Sequence, residues 1–415
     1  MADKKLGAGL IGGGFIGQFH IRSWVGVRDA DIMGIVDVNT ETAEKAAALV
    51  RELGVGEPTI HKTITDMVAD PDIDAVWIGT PNFTRIEVME EIASSIEEGV
   101  GELTGVCCEK PLGRNVAEAK KMLELAEKVG VLDGYLEDQL FSTSVQRGKA
   151  IIWARGAALT GPPFLARASE EHSGPHMPWF WEGELQGGGV LNDMMCHSVE
   201  VARFLLTAPG AARETLTPVK VTSHTSCLKW QDPHYVEQLK SISDGKLDYA
   251  SRPAEDFARG LVVYRDEGGA ERIVQCTTSW CFVGAGLRLS MELLGPEYSM
   301  SINSLDAGPK VFFSRNVTGE TGEDLVEKQN AEQGLMPVIA DEEGEYGYVG
   351  ENRHMVQSFL AGKRPEENFD DGVNVTELLM TAYMSAEQGR TIDFPPPDLD
   401  TFIPAVARGE WNPKQ

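Results

Sequence analysis

The sequence predicts an α/β protein whose N-terminal third is a doubly wound parallel sheet of the Rossmann type, followed by a second α/β domain. Three observations lead there. Short apolar runs alternate with amphipathic stretches of helical period from Leu6 to Val129. A glycine-rich turn joins the first run to the first helix. The chain has 415 residues, more than one domain ordinarily holds.

Leu6 to Ile11 reads as a buried strand. Gly12-Gly13-Gly14-Phe15-Ile16-Gly17 follows at once and opens a helix. In this strand–turn–helix context Gly12 permits the tight turn, Gly14 lets a pyrophosphate approach the backbone, and Gly17 lets the helix pack on the strand. The helix N-terminus offers its amides to the phosphates. Ile32 to Val36 reads as a second strand, and Asp37 closes it, twenty residues after Gly17. A carboxylate there accepts hydrogen bonds from the adenosine ribose and repels a 2′-phosphate, so the expected cofactor is NAD rather than NADP. Gly12, Gly14, Phe15, Ile16, Gly17 and Asp37 form the expected cradle.

The alternation continues. Thr42 to Leu53 reads as helix, Ala75 to Gly79 as a third strand, Arg85 to Glu97 as helix, Val106 to Cys108 as strand, and Val116 to Val129 as helix. Ligands of such sheets sit at the strands' C-terminal ends. Thr80, Pro81, Asn82, Glu109 and Lys110 all stand at such ends and are expected to face the cofactor.

Composition narrows the function classes. Net charge is −27, which disfavours phosphate backbones and anionic lipid, so neither nucleic acid nor membrane is an expected partner. Six cysteines are scattered without a CxxC pair and read as reduced thiols. The N-terminus runs into a strand with no signal-peptide pattern, and no apolar run is long enough to span a bilayer. The expected location is the cytoplasm.

A second constellation lies in the other half. Val190 to Leu206 reads as a helix that places Asp193 and His197 one turn apart on one face, with Leu191, Met194, Met195, Ala202 and Leu205 as core. Gly187-Gly188-Gly189 precedes it. Before these glycines, Glu170 to Trp181 is rich in histidine and aromatic residues. His172, His176, Trp179 and Trp181 are candidates for a wall that stacks on a sugar and binds its hydroxyls. His172, His176, Asp193 and His197 also supply a possible metal set, but no HExxH is present and no metal is expected.

Glu109-Lys110-Pro111, Thr80-Pro81-Asn82, the glycine fingerprint and Gly187 to His197 together resemble the glucose–fructose oxidoreductase / inositol dehydrogenase / rhizopine-catabolism (Gfo/Idh/MocA) family. Glu351 to Gly389, with Phe359-Leu360-Ala361-Gly362 and Ala382-Tyr383-Met384-Ser385-Ala386, is similar to the family's closing helices. The resemblance implies a Rossmann domain over 1–140 and, over 141–415, an α/β domain on a large, mainly antiparallel open sheet. It also implies a homo-oligomer, dimer or tetramer, and a pyranose or cyclitol substrate. The sequence departs from the family at Arg85, where a histidine is usual, and at Met195, where a glycine is usual. Arg85 is counted with the cofactor end. The loop between Ile96 and Val106 is long, and Lys229 to Asp256 reads as an inserted, partly helical excursion.

The chemistry expected is oxidation of a secondary alcohol or its reverse. His197 serves as base, because imidazole titrates near neutrality. Lys110 hydrogen-bonds the reacting oxygen, and Asp193 orients the histidine or binds a neighbouring hydroxyl; Asn192 is placed with the substrate. Two other readings are compatible with the same residues. One is an NAD-dependent glycoside hydrolase that oxidises transiently, eliminates, adds water and re-reduces. The other is a non-enzymatic NAD-responsive regulator of sugar genes.

Overall fold

The structure, a computed structural model, describes residues 5–284, 286–306, 308, 310–313 and 334–413. The chain forms two compact units. One comprises Met1–Ser142 with Tyr346–Thr376, the other Thr143–Glu345 with Glu377–Gln415. A single cut after residue 140 does not anticipate that 346–376 returns to the first unit. The cause is packing: Met355, Val356 and Phe359 of the helix Tyr348–Leu360 enter the core under the first sheet. Gly105 admits this helix, since a Cβ there would stand 2.6 Å from the Phe359 ring.

In the first unit β1 (Leu6–Ile11), β2 (Ala30–Val36), β3 (Thr59–Ile60), β4 (Ala75–Ile78), β5 (Gly105–Glu109) and β6 (Leu132–Leu136) form a sheet of order β3-β2-β1-β4-β5-β6. Every pairing is parallel. The chain order reverses between β1 and β4, the crevice where such sheets bind ligands. β1, β4 and β5 are buried throughout, which is why they read as continuous apolar runs. Helix ends follow local chemistry. Asn39 and Asn115 cap Thr40–Leu53 and Val116–Val129 with their side chains, and Gly54 and Gly130 close them in the left-handed conformation.

The second unit contains β7 (Leu165–Glu171), β8 (Leu216–Ser226), β9 (Phe257–Asp266), β10 (Glu271–Ser279), β11 (Arg288–Gly295), β12 (Tyr298–Asn303), the pair β13 (Lys310–Phe313) and β14 (Gly334–Pro337), and β15 (Ile392–Asp393). Seven of these form a sheet of order β12-β11-β7-β10-β9-β8-β15, in which only β7 and β10 run parallel. This is the expected mainly antiparallel open sheet. The helix Val190–Leu206 packs on one face, over β7 and β10. Alternation along the strands agrees: Ala166, Ala168, Glu170, Val274 and Cys276 are buried, whereas Arg167 and Gln275 are exposed on the opposite face. The excursion contains the helix Pro233–Ile242, capped by Asp232. The Asp256 carboxylate closes its base, accepting the amides of Leu228, Lys229 and Trp230 at 2.7, 2.9 and 2.8 Å.

Candidate active site

The glycine turn has the form its spacing predicts. Gly12 adopts φ +100°, and a Cβ there would meet the Gly79 carbonyl at 2.9 Å. A Cβ on Gly17 would lie 2.2 Å from the Gly12 carbonyl oxygen, so helix and strand approach to a distance only glycine allows. Gly14 differs: a Cβ would meet no protein atom within 4 Å. It caps the helix Phe15–Ser23 without any side-chain bond to the first-turn amides. Phe15, beside this turn, is half exposed. Asp37 accepts the Gly13 amide on Oδ2 and the Asn39 amide on Oδ1, both at 2.8 Å, so its carboxylate is held beside the turn. Thr80 follows β4 close to Gly12, and its Oγ1 is buried with no hydrogen-bond partner among the described residues. Open space over Gly14, uncapped amides, a fixed acid and an orphaned hydroxyl fit a dinucleotide.

Arg85 is tied to the cofactor end through backbone carbonyls. Its guanidinium is buried and donates to the carbonyls of Thr80 (3.1 Å), Glu109 (2.6 Å) and Pro111. It ties the turn after β4 to the turn after β5, and so shapes the segment that carries Lys110. Asn82 is buried in the same turn, behind Pro81.

Glu109 is a buried acid with organised partners. Its Oε1 lies 3.0 Å from His20 Nε2, and its Oε2 accepts the Lys110 amide at 3.0 Å. Burial opposes its charge, but the bond to and charge of His20, with Lys110 and Arg85, outweigh that cost and hold its carboxyl below the ordinary range. Asn352 bonds His20 Nδ1, Ser23 Oγ and the Trp77 indole, which fixes the ring. Glu351 next to it is the counterpart: burial, then the charges of Asp138, Glu109, Glu137 and Glu367, push its carboxyl far up. Lys110 itself is half-buried immediately after the last residue of β5.

In the second unit all seventeen residues of Val190–Leu206 are buried, Asp193 and His197 included. Met195 fills the position where a glycine was noted as usual, lying against Gly260 of β9. Asp193 Oδ2 accepts the Trp280 indole N–H at 3.2 Å. His197 Nε2 lies 3.8 Å from Glu170 Oε2, on β7. The sequence marks neither Trp280 nor Glu170 for these contacts, because a contact between a strand and a distant helix leaves no local pattern. Asn192 is buried, and its amide donates to the Gln186 carbonyl at 2.9 Å while Oδ1 has no partner among the described residues.

The aromatic stretch divides. Trp181 is buried, its ring 4.8 Å from that of Trp230 and 4.9 Å from that of Trp280, and its indole donates to Pro175. It is core of the excursion and not an exposed sugar platform: an apolar ring among other rings gains more from burial than a partly wet wall would give it. His172 is buried too, its Nδ1 accepting the Gly174 amide at 2.9 Å. His176 is exposed, and Trp179, partly exposed, stacks on Phe180 with centroids 3.8 Å apart.

Residues 6–134 match the model of an oxidoreductase family with an NAD-binding Rossmann fold, and residues 157–300 that of the GFO/IDH/MocA C-terminal domain. The chain is 32% identical over 197 residues to a 1,5-anhydro-D-fructose reductase of Ensifer adhaerens, a match covering 46% of this chain and 56% of that one. The chain thus spans little more than half the length of that relative. It is 23% identical over 418 residues to a D-apiose dehydrogenase of Paraburkholderia graminis, covering 97% of this chain and 93% of that one. Among solved structures, GenD2 from gentamicin A biosynthesis, in complex with NAD, superposes with a TM-score of 0.74 at 24% identity, covering 95% of this chain and 98% of that one; this likeness shows the fold.

Proposed function

The chain belongs to the Gfo/Idh/MocA oxidoreductase family, and from that premise we propose that it is an NAD-dependent dehydrogenase of a sugar, sugar derivative or cyclitol. A hydride passes between the nicotinamide and a secondary hydroxyl or ketone carbon. The observation that carries the reading is the buried His197, one helical turn from Asp193 and beside the Glu170 carboxylate. An imidazole so placed can serve as the base of an alcohol oxidation.

Bound NAD supplies the hydride acceptor. The protein's own groups do the rest. The turn Gly12 to Gly17 receives the pyrophosphate and Asp37 the ribose. Lys110 donates to the reacting oxygen and favours the alkoxide, His197 takes the hydroxyl proton, and Asp193 accepts from a neighbouring substrate hydroxyl. Glu170 stabilises His197 once it is protonated. Asn192 Oδ1, His176 and Trp179 are the substrate-side groups. The first unit serves the cofactor and the second the substrate. The exposed face of the seven-stranded sheet, opposite the helix Val190–Leu206, is where a homo-oligomer forms. The six cysteines, which form no disulfide among the described residues, support a reducing, cytoplasmic location, and among the described residues no helix is long and apolar enough to cross a membrane.

The test is NADH formation from NAD with a panel of free sugars, anhydrosugars and cyclitols, D-apiose and inositols included. At least one supports sustained turnover, and His197→Ala and Lys110→Ala each lower kcat by about 10²–10⁴-fold. Absence of NADH across the panel overturns the reading.

A further inference from the structure

The polar groups around Asp193 lead into the inserted excursion. Trp280 is fully buried at the end of β10, and its indole N–H reaches Asp193 Oδ2 at 3.2 Å. Its position is fixed from three directions. Its amide donates to the Asp256 carbonyl at 2.8 Å, its carbonyl accepts the Trp230 indole N–H at 2.7 Å, and its ring packs against Trp181. Asp256 and Trp230 bound the excursion, and the Asp256 carboxylate holds the excursion's first amides.

The residue before Asp256 reaches the other end of the same machinery. Glu255 is buried, and its Oε1 accepts the amides of Gly189 (2.9 Å) and Leu191 (3.2 Å) and the Tyr383 hydroxyl (2.5 Å). The Glu255 carbonyl accepts the Val190 amide at 3.0 Å. Tyr383 Oη in turn accepts the amides of Gly189 and Asn192. The dipeptide Glu255-Asp256 therefore grips both the first turn of the helix that bears Asp193 and, through Trp280, the Asp193 carboxylate.

The geometry points to Trp280 as a positioning residue of the reaction: its indole N–H sets the orientation of the Asp193 carboxylate, in a frame that Glu255 and Asp256 hold. This rests on the role proposed above for Asp193. An indole suits the task, because it donates one hydrogen bond, accepts none and carries no charge. It directs one carboxylate oxygen without neutralising the group. A lysine or arginine there would neutralise the acid, and a phenylalanine would remove the bond to Oδ2.

The experiment compares the whole enzyme with Trp280→Phe, Asp193→Asn and the double variant, each assayed for kcat and KM with NAD and a sugar the wild type oxidises. Loss of a hydrogen bond to a charged group implies that Trp280→Phe lowers kcat by about 10-fold or more while KM for NAD is unchanged. Asp193→Asn is the more damaging change, and the double variant is no slower than Asp193→Asn alone. A second arm uses wild type and Asp193→Asn labelled with ¹⁵N-tryptophan. Of the eight tryptophans, one indole N–H resonance shifts upfield in Asp193→Asn and the rest stay.

Full activity of Trp280→Phe beside an impaired Asp193→Asn overturns this inference alone. So does a double variant whose losses multiply, or an indole spectrum that Asp193→Asn does not change. Full activity of Asp193→Asn overturns the role of Asp193 and the inference with it. If Trp280→Phe does not fold, the spectrum decides.

Discussion

Glu170 Oε2 lies 3.8 Å from His197 Nε2, with both side chains buried. The strand alternation of β7 turns residue 170 to the face that the helix Val190–Leu206 covers. In the proposed reaction His197 gains a positive charge when it takes the substrate proton, and the Glu170 carboxylate stands beside that charge. Glu170→Gln keeps the shape and removes the charge. It is expected to lower kcat for alcohol oxidation on the order of 10–100-fold, equal to about 1.4–2.7 kcal/mol of barrier, with KM for NAD unchanged. Steady-state kinetics with saturating NAD measure this, and an unchanged kcat removes Glu170 from the reaction.

Two glycines of one turn are expected to fail in opposite ways. Gly17→Ala drives a methyl to within 2.2 Å of the Gly12 carbonyl oxygen. Overpacking of this kind costs about 1–3 kcal/mol, so the melting temperature falls. Gly14→Ala meets no protein atom within 4 Å, and the residue's φ of −69° suits alanine. Its stability is expected to stay within about 0.5 kcal/mol of wild type, while NAD binding weakens because the methyl occupies the phosphate's place. Thermal melts and NAD titration calorimetry separate the two. Gly14→Ala with unaltered NAD affinity would place the pyrophosphate elsewhere.

Asp37 accepts two amides at 2.8 Å and so stands rigidly beside the glycine turn. A fixed carboxylate cannot swing away from a 2′-phosphate. Asp37→Ser is expected to lower kcat/KM with NAD by about 10-fold or more and to narrow the preference over NADP, as follows from losing a charge-assisted bond and a repulsion together. Parallel assays with the two cofactors measure the ratio. A preference that stays constant would show that another group reads the ribose.

Much of the secondary structure of both units was legible because its signals are local. The amphipathic periods of Arg85–Glu97, Val116–Val129 and Val190–Leu206 coincide with the observed helices, since side-chain burial and cap chemistry act within a few residues. The spacing of Asp193 and His197 likewise put them on one buried turn. What local pattern could not show is who stands opposite. Trp280 meets Asp193 across 87 residues, Glu255 meets Tyr383 across 128, and the return of Tyr348–Leu360 to the first core links residues far apart in the chain. The tryptophans expose the same limit. Trp179 and Trp181 stand two apart in one aromatic run, yet Trp181 belongs to a buried cluster, and composition does not tell a core ring from a sugar platform. Arg85 is a third case: its charge is used on backbone carbonyls, which no sequence motif records.

Glu255 gives the fold a pH dependence with a definite sign. Burial raises its carboxyl from 4.5 to about 7, against the lowering effect of the Tyr383 hydroxyl and the amides of Leu191 and Gly189. Between those two values the folded chain holds a proton that the unfolded chain has released. Stability then falls as pH rises. The contribution is fully present below pH 4.5, is lost as pH rises through about 7, and is flat above that. At about 1.36 kcal/mol per pH unit the loss is on the order of 3 kcal/mol. Glu255→Gln keeps a carbonyl oxygen for the Gly189, Leu191 and Tyr383 donors but does not titrate. The wild type is therefore expected to lose stability relative to Glu255→Gln between pH 5 and pH 7, and the difference is expected to hold constant from pH 7.5 to pH 9. Urea unfolding midpoints of both proteins across that range measure it. Parallel curves would mean that Glu255 is already ionised in the folded protein at pH 5, and that the helix N-terminus stabilises its charge more than burial opposes it.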